Sequence, residues 1–185
     1  MSQSPQHSPV IGVAAAGPSD LPEITAIYNE AVADSVATFH VEPRTEEQQR
    51  EWFESRGRRH PVIVARRQGL IVGWASLSEF SDRRAYENTA EDSVYVAEEW
   101  RGKGIGRQLL GRLVELAAEL GHHSILARIA DHSAVSIALH RSAGFREVGV
   151  LHEVGRKFDR WIDVTLMERV LDQRLTERRG NASDS

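Results

Sequence analysis

One stretch of the chain decides its fold. Residues 94–106 read Val-Tyr-Val-Ala-Glu-Glu-Trp-Arg-Gly-Lys-Gly-Ile-Gly. The opening β-formers predict a strand, and apolar residues at helical spacing between Leu109 and Leu120 predict a helix directly after the glycines. Glycines at positions 102, 104 and 106 let backbone N–H groups approach a ligand with no side chain in the way. Because a helix N-terminus also carries partial positive charge, the segment predicts an anion site, most naturally for a pyrophosphate.

Two common phosphate-binding loops do not fit this segment. The P-loop ends in Gly-Lys-Ser/Thr, whereas Lys103 is followed by Gly104 and Ile105. The dinucleotide fingerprint has the spacing Gly-x-Gly-x-x-Gly and belongs to a βαβ unit, and no such unit opens this chain. For the loop taken alone, a glycine-rich turn without a ligand stays open as an alternative.

Composition excludes several classes of function. The 185 residues suffice for one domain, and the formal net charge of −4 gives no electrostatic reason to expect a nucleic acid or an anionic membrane as partner. The chain has no cysteine, which rules out disulfides, thiolate metal sites and cysteine nucleophiles. No histidine spacing resembles a metal site, no apolar run approaches the ~20 residues of a membrane span, and the N-terminus does not read as a secretory signal. We therefore expect a cytoplasmic protein without a metal.

Turn and cap signals divide the chain into strands and helices. We expect one domain over residues 10–170, between a disordered polar tail at 1–9 and a charged tail at 171–185. The predicted strands are 10–15, 61–66, 70–77, 91–96, 124–129, 145–150 and 161–170, and the predicted helices begin at Asp20, Thr45, the glycine loop and Ser133. This order mixes hairpins with crossover helices, which favours an α/β (α+β) domain with one mixed sheet and helices on both faces.

Several motifs resemble a known enzyme family. Arg101, Gly104 and Gly106 fill the fixed positions of the Arg/Gln-x-x-Gly-x-Gly/Ala loop, so the segment resembles the acetyl-CoA loop of the GNAT acyltransferases. Four segments, in family order, resemble the phosphinothricin N-acetyltransferases: 37–39, 80–96, 139–145 and 155–163. The resemblance covers roughly residues 20–167 and implies the GNAT fold, with a single mixed, mostly antiparallel sheet, and a homodimer.

The resemblance also implies an activity. It indicates an N-acetyltransferase that moves acetyl from acetyl-CoA to the α-amino group of a small amino-acid analogue, by direct attack of the amine. The acceptor would be of the phosphinothricin, methionine sulfoximine or methionine sulfone type. Two alternatives stay open: another amine acceptor, such as a polyamine, an aminoglycoside or a protein N-terminus, and an acyl-CoA-binding module without catalytic activity.

The residues that would bind acetyl-CoA follow from the same resemblance. The main chain of Val94, Tyr95 and Val96 would bind the pantetheine arm like an added strand and supply a donor to the oxyanion of the tetrahedral intermediate. The pyrophosphate loop would comprise Arg101, Gly102, Lys103, Gly104, Ile105, Gly106 and Arg107. Ser133 stands where family members commonly carry the asparagine of Asp-x-x-Asn, so the contact at this position is shortened.

Two residues are candidates for proton transfer. Glu91 occupies the family's place for a general base, and a carboxylate whose pKa is raised in a partly dry cleft can take the proton of an ammonium. A solvated carboxylate at a strand end is the alternative. Neighbouring Asp92 would point to the opposite face of a regular strand. His140 occupies the place of an acid that protonates the leaving CoA thiolate, and a buried structural histidine is the alternative.

Four residues are candidates for substrate binding. Arg83 and Tyr86 stand where the family binds the polar head of the acceptor, and arginine suits an oxyanion. Phe39 could form a wall of the pocket, with Lys157 from a late loop near its rim. Each of the four also has an ordinary interpretation as a surface charge or a core aromatic.

Overall fold

The computed structural model describes residues 11–171. Its strands are β1 Gly12–Ala15, β2 Val62–Arg67, β3 Leu70–Glu79, β4 Thr89–Val96, β5 Ser124–Ala130, β6 Arg146–Lys157 and β7 Arg160–Val170. Its helices are α1 Leu21–Asp34, α2 Glu46–Glu54, α3 Ile105–Glu119 and α4 Ala134–Ser142. The tails expected at 1–9 and, after Leu171, at the C-terminus lie outside the described residues.

The seven strands form one sheet in the order β1-β2-β3-β4-β5-β7-β6. Every neighbouring pair is antiparallel except β4 with β5, which α3 connects as a crossover. The predicted mixed, mostly antiparallel sheet is confirmed.

Helices cover both faces of the sheet, as the alternation of apolar residues in the strands requires. On one face α1 and α2 pack over Val64, Trp74 and their neighbours. On the other face α3 supplies the largest share of the core, with Leu109, Leu110 and Leu113 fully buried. The cores on the two faces of the sheet are each closed by a helix pair, which confirms the expected layering.

The sheet opens at its single parallel pair. β4 and β5 are paired only from Thr89, opposite Ser124, to Glu91, opposite Leu126. β3 continues to pair β4 as far as Val96. The main chain of β4 beyond Glu91 therefore faces a gap on its β5 side, and this gap positions the site described below.

Local signals in the sequence located most element ends. Thr45 and Gln48 form the predicted reciprocal capping box at the start of α2. Asp20 precedes α1 as expected, but its carboxylate accepts from the backbone N–H of Gly17 and from Arg66 instead of capping α1. The prediction of a side-chain cap there was wrong, because Gly17 and Arg66 already occupy the two oxygens of the Asp20 carboxylate.

The last two strands are longer than predicted. The stretch expected as a loop before Trp161 is the second half of β6, which reaches Lys157 before a tight turn through Phe158 and Asp159. The pairing of β6 with β7 shifts register twice, around Val148 and between Leu151 and Gly155. Such bulges break the period-2 alternation by which a strand is recognised in a sequence.

Two further observations concern the described residues. Among residues 11–171 no helix is long and apolar enough to cross a membrane. In the same part of the chain, no group of three or more His, Cys, Asp or Glu side chains is arranged to hold a metal ion.

Candidate active site

The gap between β4 and β5 continues into a cleft of about 900 Å³. Its walls are the segment after α1, the exposed parts of β4 and β5, the first turns of α4, and apolar residues of β6 and β7. Of the residues proposed from the sequence, those that line it are Phe39, Glu91, Val94, Tyr95, Ser133 and His140. Residues as far apart in sequence as Phe39 and His140 therefore share one cavity.

Glu91 lies where the parallel pairing stops. Its carboxylate is paired with Arg128 of β5, with Nη2 to Oε2 at 2.5 Å. The Glu91 side chain is 19% exposed and the Arg128 side chain 52% exposed. Burial raises the pKa of the Glu91 carboxyl above its ordinary value, and the guanidinium of Arg128 opposes that rise. A carboxylate with these properties can accept a proton inside the cleft.

Asp92 and His140 form a second, fully buried pair. Asp92 Oδ2 lies 3.0 Å from His140 Nε2, and His140 Nδ1 lies 2.7 Å from the carbonyl oxygen of Ser136. Because carboxylates and carbonyls accept, both contacts are made at once only by the imidazolium. Burial by itself lowers the pKa of His140, but the hydrogen bond and charge of Asp92 outweigh burial and raise it. Both ring nitrogens of His140 are therefore occupied by protein oxygens.

The glycine loop has the backbone that its sequence predicts. Gly102 and Gly104 have φ values of +73° and +80°, and Gly104 is the N-cap residue of α3. No heavy atom lies within 4 Å of where a Cβ would stand at either position, so the space above the loop is open. The first N–H groups of α3 point out of this loop, which is the arrangement that binds anions.

The third glycine, Gly106, and the residue before it, Ile105, pack inside the protein. A Cβ on Gly106 would stand 3.3 Å from Leu139 of α4, so this glycine permits close contact between α3 and α4. The side chain of Ile105 is 1% exposed and belongs to the core, so only its main chain can face a ligand.

The cationic side chains of the loop contact the protein surface. Arg101 donates to the carbonyl of Val96 and pairs with Glu30 of α1 at 2.9 Å. Lys103 donates to the carbonyl of Glu99 and lies over the Trp100 ring. Arg107 is exposed on the first turn of α3. Contacts of these side chains with a phosphate stay a prediction.

The main chain between Glu91 and the loop suits the arm of a pantetheine cofactor. Val96 lies five residue steps along the extended strand from Glu91, roughly 16 Å at the usual rise per residue. Along that length the β5 side of β4 is open, and Val94 and Tyr95 line the cleft. Ser133 lies across the cleft as the N-cap of α4, where its Oγ accepts from the N–H of Ser136. These features fit acetyl-CoA, whose placement along β4 between the loop and Glu91 stays a prediction.

The proposed substrate residues are not gathered in one place. Phe39 lines the cleft, and its ring lies directly on Gly155, where a Cβ would stand 2.2 Å away. Lys157 lies on β6, not in a loop at the rim as expected: it is 5% exposed and donates to the carbonyls of Ser35 and Thr38. It holds the segment that carries Phe39 and does not line the cleft.

Arg83 and Tyr86 also lie outside the cleft lining. They belong to an exposed turn between β3 and β4, where the Tyr86 ring packs edge-on against Phe80 at 5.2 Å between ring centroids. The turn enters β4 just before Glu91, so it adjoins the site without contributing to its walls.

Sequence reasoning missed Arg128 and underrated Asp92. Arg128 stands in an ordinary strand pattern, Ser-Ile-Leu-Ala-Arg-Ile-Ala, in which a charge on the outward face reads as solvated. A lone arginine among β-formers was the available signal. Asp92 does lie on the opposite face from Glu91, as predicted, and there it meets His140.

Comparison with known proteins agrees with this geometry. The family model for the acetyltransferase (GNAT) domain matches residues 13–166. A methionine sulfoximine/methionine sulfone acetyltransferase of Pseudomonas paraeruginosa is 42% identical over 159 residues, which are 85% of this chain and 92% of that protein.

Two solved structures are similar over nearly the whole domain. A GNAT superfamily phosphinothricin acetyltransferase from Sinorhizobium meliloti in complex with acetyl-CoA has a TM-score of 0.86 and 38% identity, covering 88% of this chain and 89% of that one. A ribosomal-protein-alanine N-acetyltransferase from Brucella melitensis has a TM-score of 0.84 and 44% identity, covering 86% and 99%.

Proposed function

Because this chain belongs to the GNAT family and is an acetyl-CoA-dependent N-acetyltransferase, we propose that its acceptor is a small amino-acid analogue of the methionine sulfoximine, methionine sulfone or phosphinothricin type. The observation that carries the proposal is the pairing of Glu91 with Arg128 inside the cleft beside β4. The cleft offers a base for the amine and space for a short polar side chain.

We propose Glu91 as the general base. An α-amino group has a pKa near ~8 and arrives largely as ammonium, so it must lose a proton before it can attack a thioester. Glu91 faces the cleft, and its raised pKa makes it a better acceptor than an ordinary carboxylate. The neutral amine then attacks the acetyl carbonyl, whose developing oxyanion is met by a main-chain N–H within Val94, Tyr95 and Val96.

The sequence left two roles open for His140, an acid for the CoA thiolate and a buried structural histidine. The geometry supports the structural role. A proton given to the CoA thiolate would have to leave either the Asp92 contact or the Ser136 contact. We propose that the imidazolium instead holds α4 against β4. As the C–S bond of the intermediate breaks, the second proton of the attacking nitrogen passes to the departing CoA sulfur, and Glu91 returns the first proton to solvent.

Acceptor turnover tests the proposal. Thiol release from acetyl-CoA should be fast with L-methionine sulfone, L-methionine sulfoximine and phosphinothricin, and slow with spermidine and an aminoglycoside. Glu91→Gln should lose on the order of 10²–10⁴ in kcat with little change in acetyl-CoA affinity, and higher pH should restore part of the rate. A wild-type enzyme that ignores the three analogues contradicts the substrate assignment.

A second acceptor class has one specific observation in its favour. The relative from Brucella is named for acetylation of a ribosomal protein at alanine, and it is as similar to this chain as the relatives named for amino-acid analogues. A peptide with an N-terminal alanine therefore belongs in the same assay. Efficient acetylation of that peptide, with none of the analogues, would favour this second function.

We further propose a homodimer that works in the cytoplasm, where acetyl-CoA is available. The support for the dimer is a group of large apolar side chains exposed on β6, β7 and their turn: Val148, Leu151, Val154, Phe158, Trp161 and Val170. Large apolar side chains exposed on and beside an edge strand are typical of an interaction site.

A further inference from the structure

The charged side chains of the cleft form ion pairs. In all but one of these pairs the two groups occupy each other, and in the remaining pair the cation has donors left for a ligand. Asp92 is buried against His140, and Asp131 at the rim is held by both nitrogens of Arg160 at 2.7 and 2.9 Å. Among the described residues that line the cleft, Arg128 is the one arginine or lysine. Its guanidinium contacts Glu91 through Nη2 and is half exposed, so it has donors left for a ligand.

The second histidine of the cleft wall, His40, does not compete for an anion. His40 accepts or donates at Nδ1 with the hydroxyl of Tyr28, at 2.8 Å. Burial and the nearby charges of Arg44 and Lys157 lower the pKa of His40, so the neutral form is favoured. The His140 imidazolium is already paired with Asp92 and with the carbonyl of Ser136, so the cation of the cleft lining with donors left for an anionic group is Arg128.

Glu91 and Arg128 together present a negative and a positive charge side by side. An α-amino acid carries an ammonium and a carboxylate on one carbon atom, and these charges are opposite to those of Glu91 and Arg128. If its ammonium faces Glu91, its carboxylate lies next to Arg128, whose planar fork suits carboxylates. A plain amine or a peptide N-terminus offers the ammonium alone.

We propose that Arg128 binds the α-carboxylate of the acceptor, and that this carboxylate replaces Glu91 as the partner of Arg128. Glu91 is then released to take a proton from the ammonium: one N–H bond breaks, one O–H bond forms on Glu91, and the amine becomes neutral. Arg128 thus selects free α-amino acids over other amines and couples their binding to the availability of the base. This inference rests on the proposed acetyl transfer to an α-amino group.

Matched substrates separate this role from a structural one. L-Methionine sulfone and 3-(methylsulfonyl)propylamine differ only in the carboxylate. Wild-type enzyme should favour the acid by roughly 10- to 150-fold in kcat/KM, the range of one charge-assisted hydrogen bond. Arg128→Met should lose that preference mainly through KM for the acid, while its kcat with the propylamine should rise because Glu91 is no longer held. Arg128→Lys should keep part of the preference.

Controls make each outcome decisive. Arg160→Met removes another arginine of the same rim and should retain the wild-type preference. Unchanged acetyl-CoA affinity shows that Arg128→Met is folded. If Arg128→Met loses rate with both substrates by the same factor, or leaves the acid unaffected, the proposal is wrong while the proposed acceptor stands.

A failure of the proposed acceptor can also be told apart from a failure of the carboxylate site. If wild type rejects methionine sulfone, the comparison is repeated with L-methionine and 3-(methylthio)propylamine. An Arg128-dependent preference there supports the carboxylate site and overturns only the acceptor. A wild-type enzyme that acetylates an alanine-initiated peptide and no free amino acid overturns both.

Discussion

At the scale of single residues, two adjacent carboxylates illustrate how environment sets a role. Glu91 and Asp92 are chemically alike, but strand alternation sends them to opposite faces of the sheet. Glu91 meets a half-exposed arginine in the cleft, where its partner can be exchanged. Asp92 meets a buried histidine, and if either group lost this contact the other would be a buried charge without its partner. The first arrangement suits proton transfer and the second suits holding α4 in place.

The Asp92–His140 pair should make stability depend on pH. Since its folded-state pKa is raised above 6.5, His140 contributes stability that is complete below pH 6.5 and is lost as pH rises through the folded value. Asp92→Asn should lower the free energy of unfolding by about 1.5–3 kcal/mol near pH 6, and the deficit should shrink at higher pH. Urea unfolding at several pH values measures this.

The matched control for that experiment is Asp131→Asn. It breaks an exposed ion pair with Arg160, which should contribute about 0–1 kcal/mol without a step in this pH range. A deficit of Asp92→Asn that stays constant from pH 5 to pH 9 would show that His140 does not change charge in the pair.

At the scale of elements, α3 carries the predicted pyrophosphate loop at its N-terminus. It begins after Gly104 and ends before Gly121, and both glycines have positive φ, +80° and +78°. No heavy atom lies within 4 Å of a Cβ at either position. The two ends therefore impose the same backbone demand, but only the N-terminal end presents N–H groups and positive partial charge to an anion.

Because Gly104 and Gly121 have the same backbone conformation, Gly121 provides a control for a test of the predicted pyrophosphate loop. Gly104→Val and Gly121→Val should each cost on the order of 1–2 kcal/mol in stability, because a β-branched residue is strained in the left-handed region. Only Gly104→Val should also lose acetyl-CoA binding, measured by titration calorimetry on folded protein, because its side chain occupies the phosphate space. Equal acetyl-CoA affinity in the two variants would contradict the loop's assignment.

At the scale of the whole molecule, the edge of the sheet formed by β6 exposes large apolar side chains. β6 is an edge strand, and together with the following turn it exposes Val148, Leu151, Val154 and Phe158 among charged residues. Leu151 and Val154 of this strand also line the cleft. A second copy covering the edge would therefore border the acceptor site.

We expect wild-type protein to sediment at the mass of two chains. Phe158→Glu with Trp161→Glu places two charges on side chains that are 54% and 60% exposed, so the fold should be retained and the mass should fall to that of one chain. The control is Val135→Glu, which charges an apolar residue of α4 that is 83% exposed, and it should remain dimeric. Sedimentation equilibrium decides; one-chain mass for wild type contradicts the homodimer.

The sequence by itself determined the fold and the backbone of the glycine loop of this protein. Both depend on local features: alternation in β4, helical spacing in α3, glycines that tolerate positive φ, and caps such as that of Thr45. Local signals of this kind act over a few residues, so they can be read without knowing what packs against them. The exception was Asp20, whose carboxylate is taken by Arg66 from a strand distant in sequence.

Only the tertiary structure decided the environment of the site. Where β4 and β5 separate, and which side chains then meet, depends on packing between elements that sequence spacing does not report. Arg128 became the partner of Glu91 in this way, Asp92 the partner of His140, and Lys157 a buried support of the segment before Phe39. Charges owe their chemistry to neighbours across the fold, and those neighbours exist only once the chain has folded.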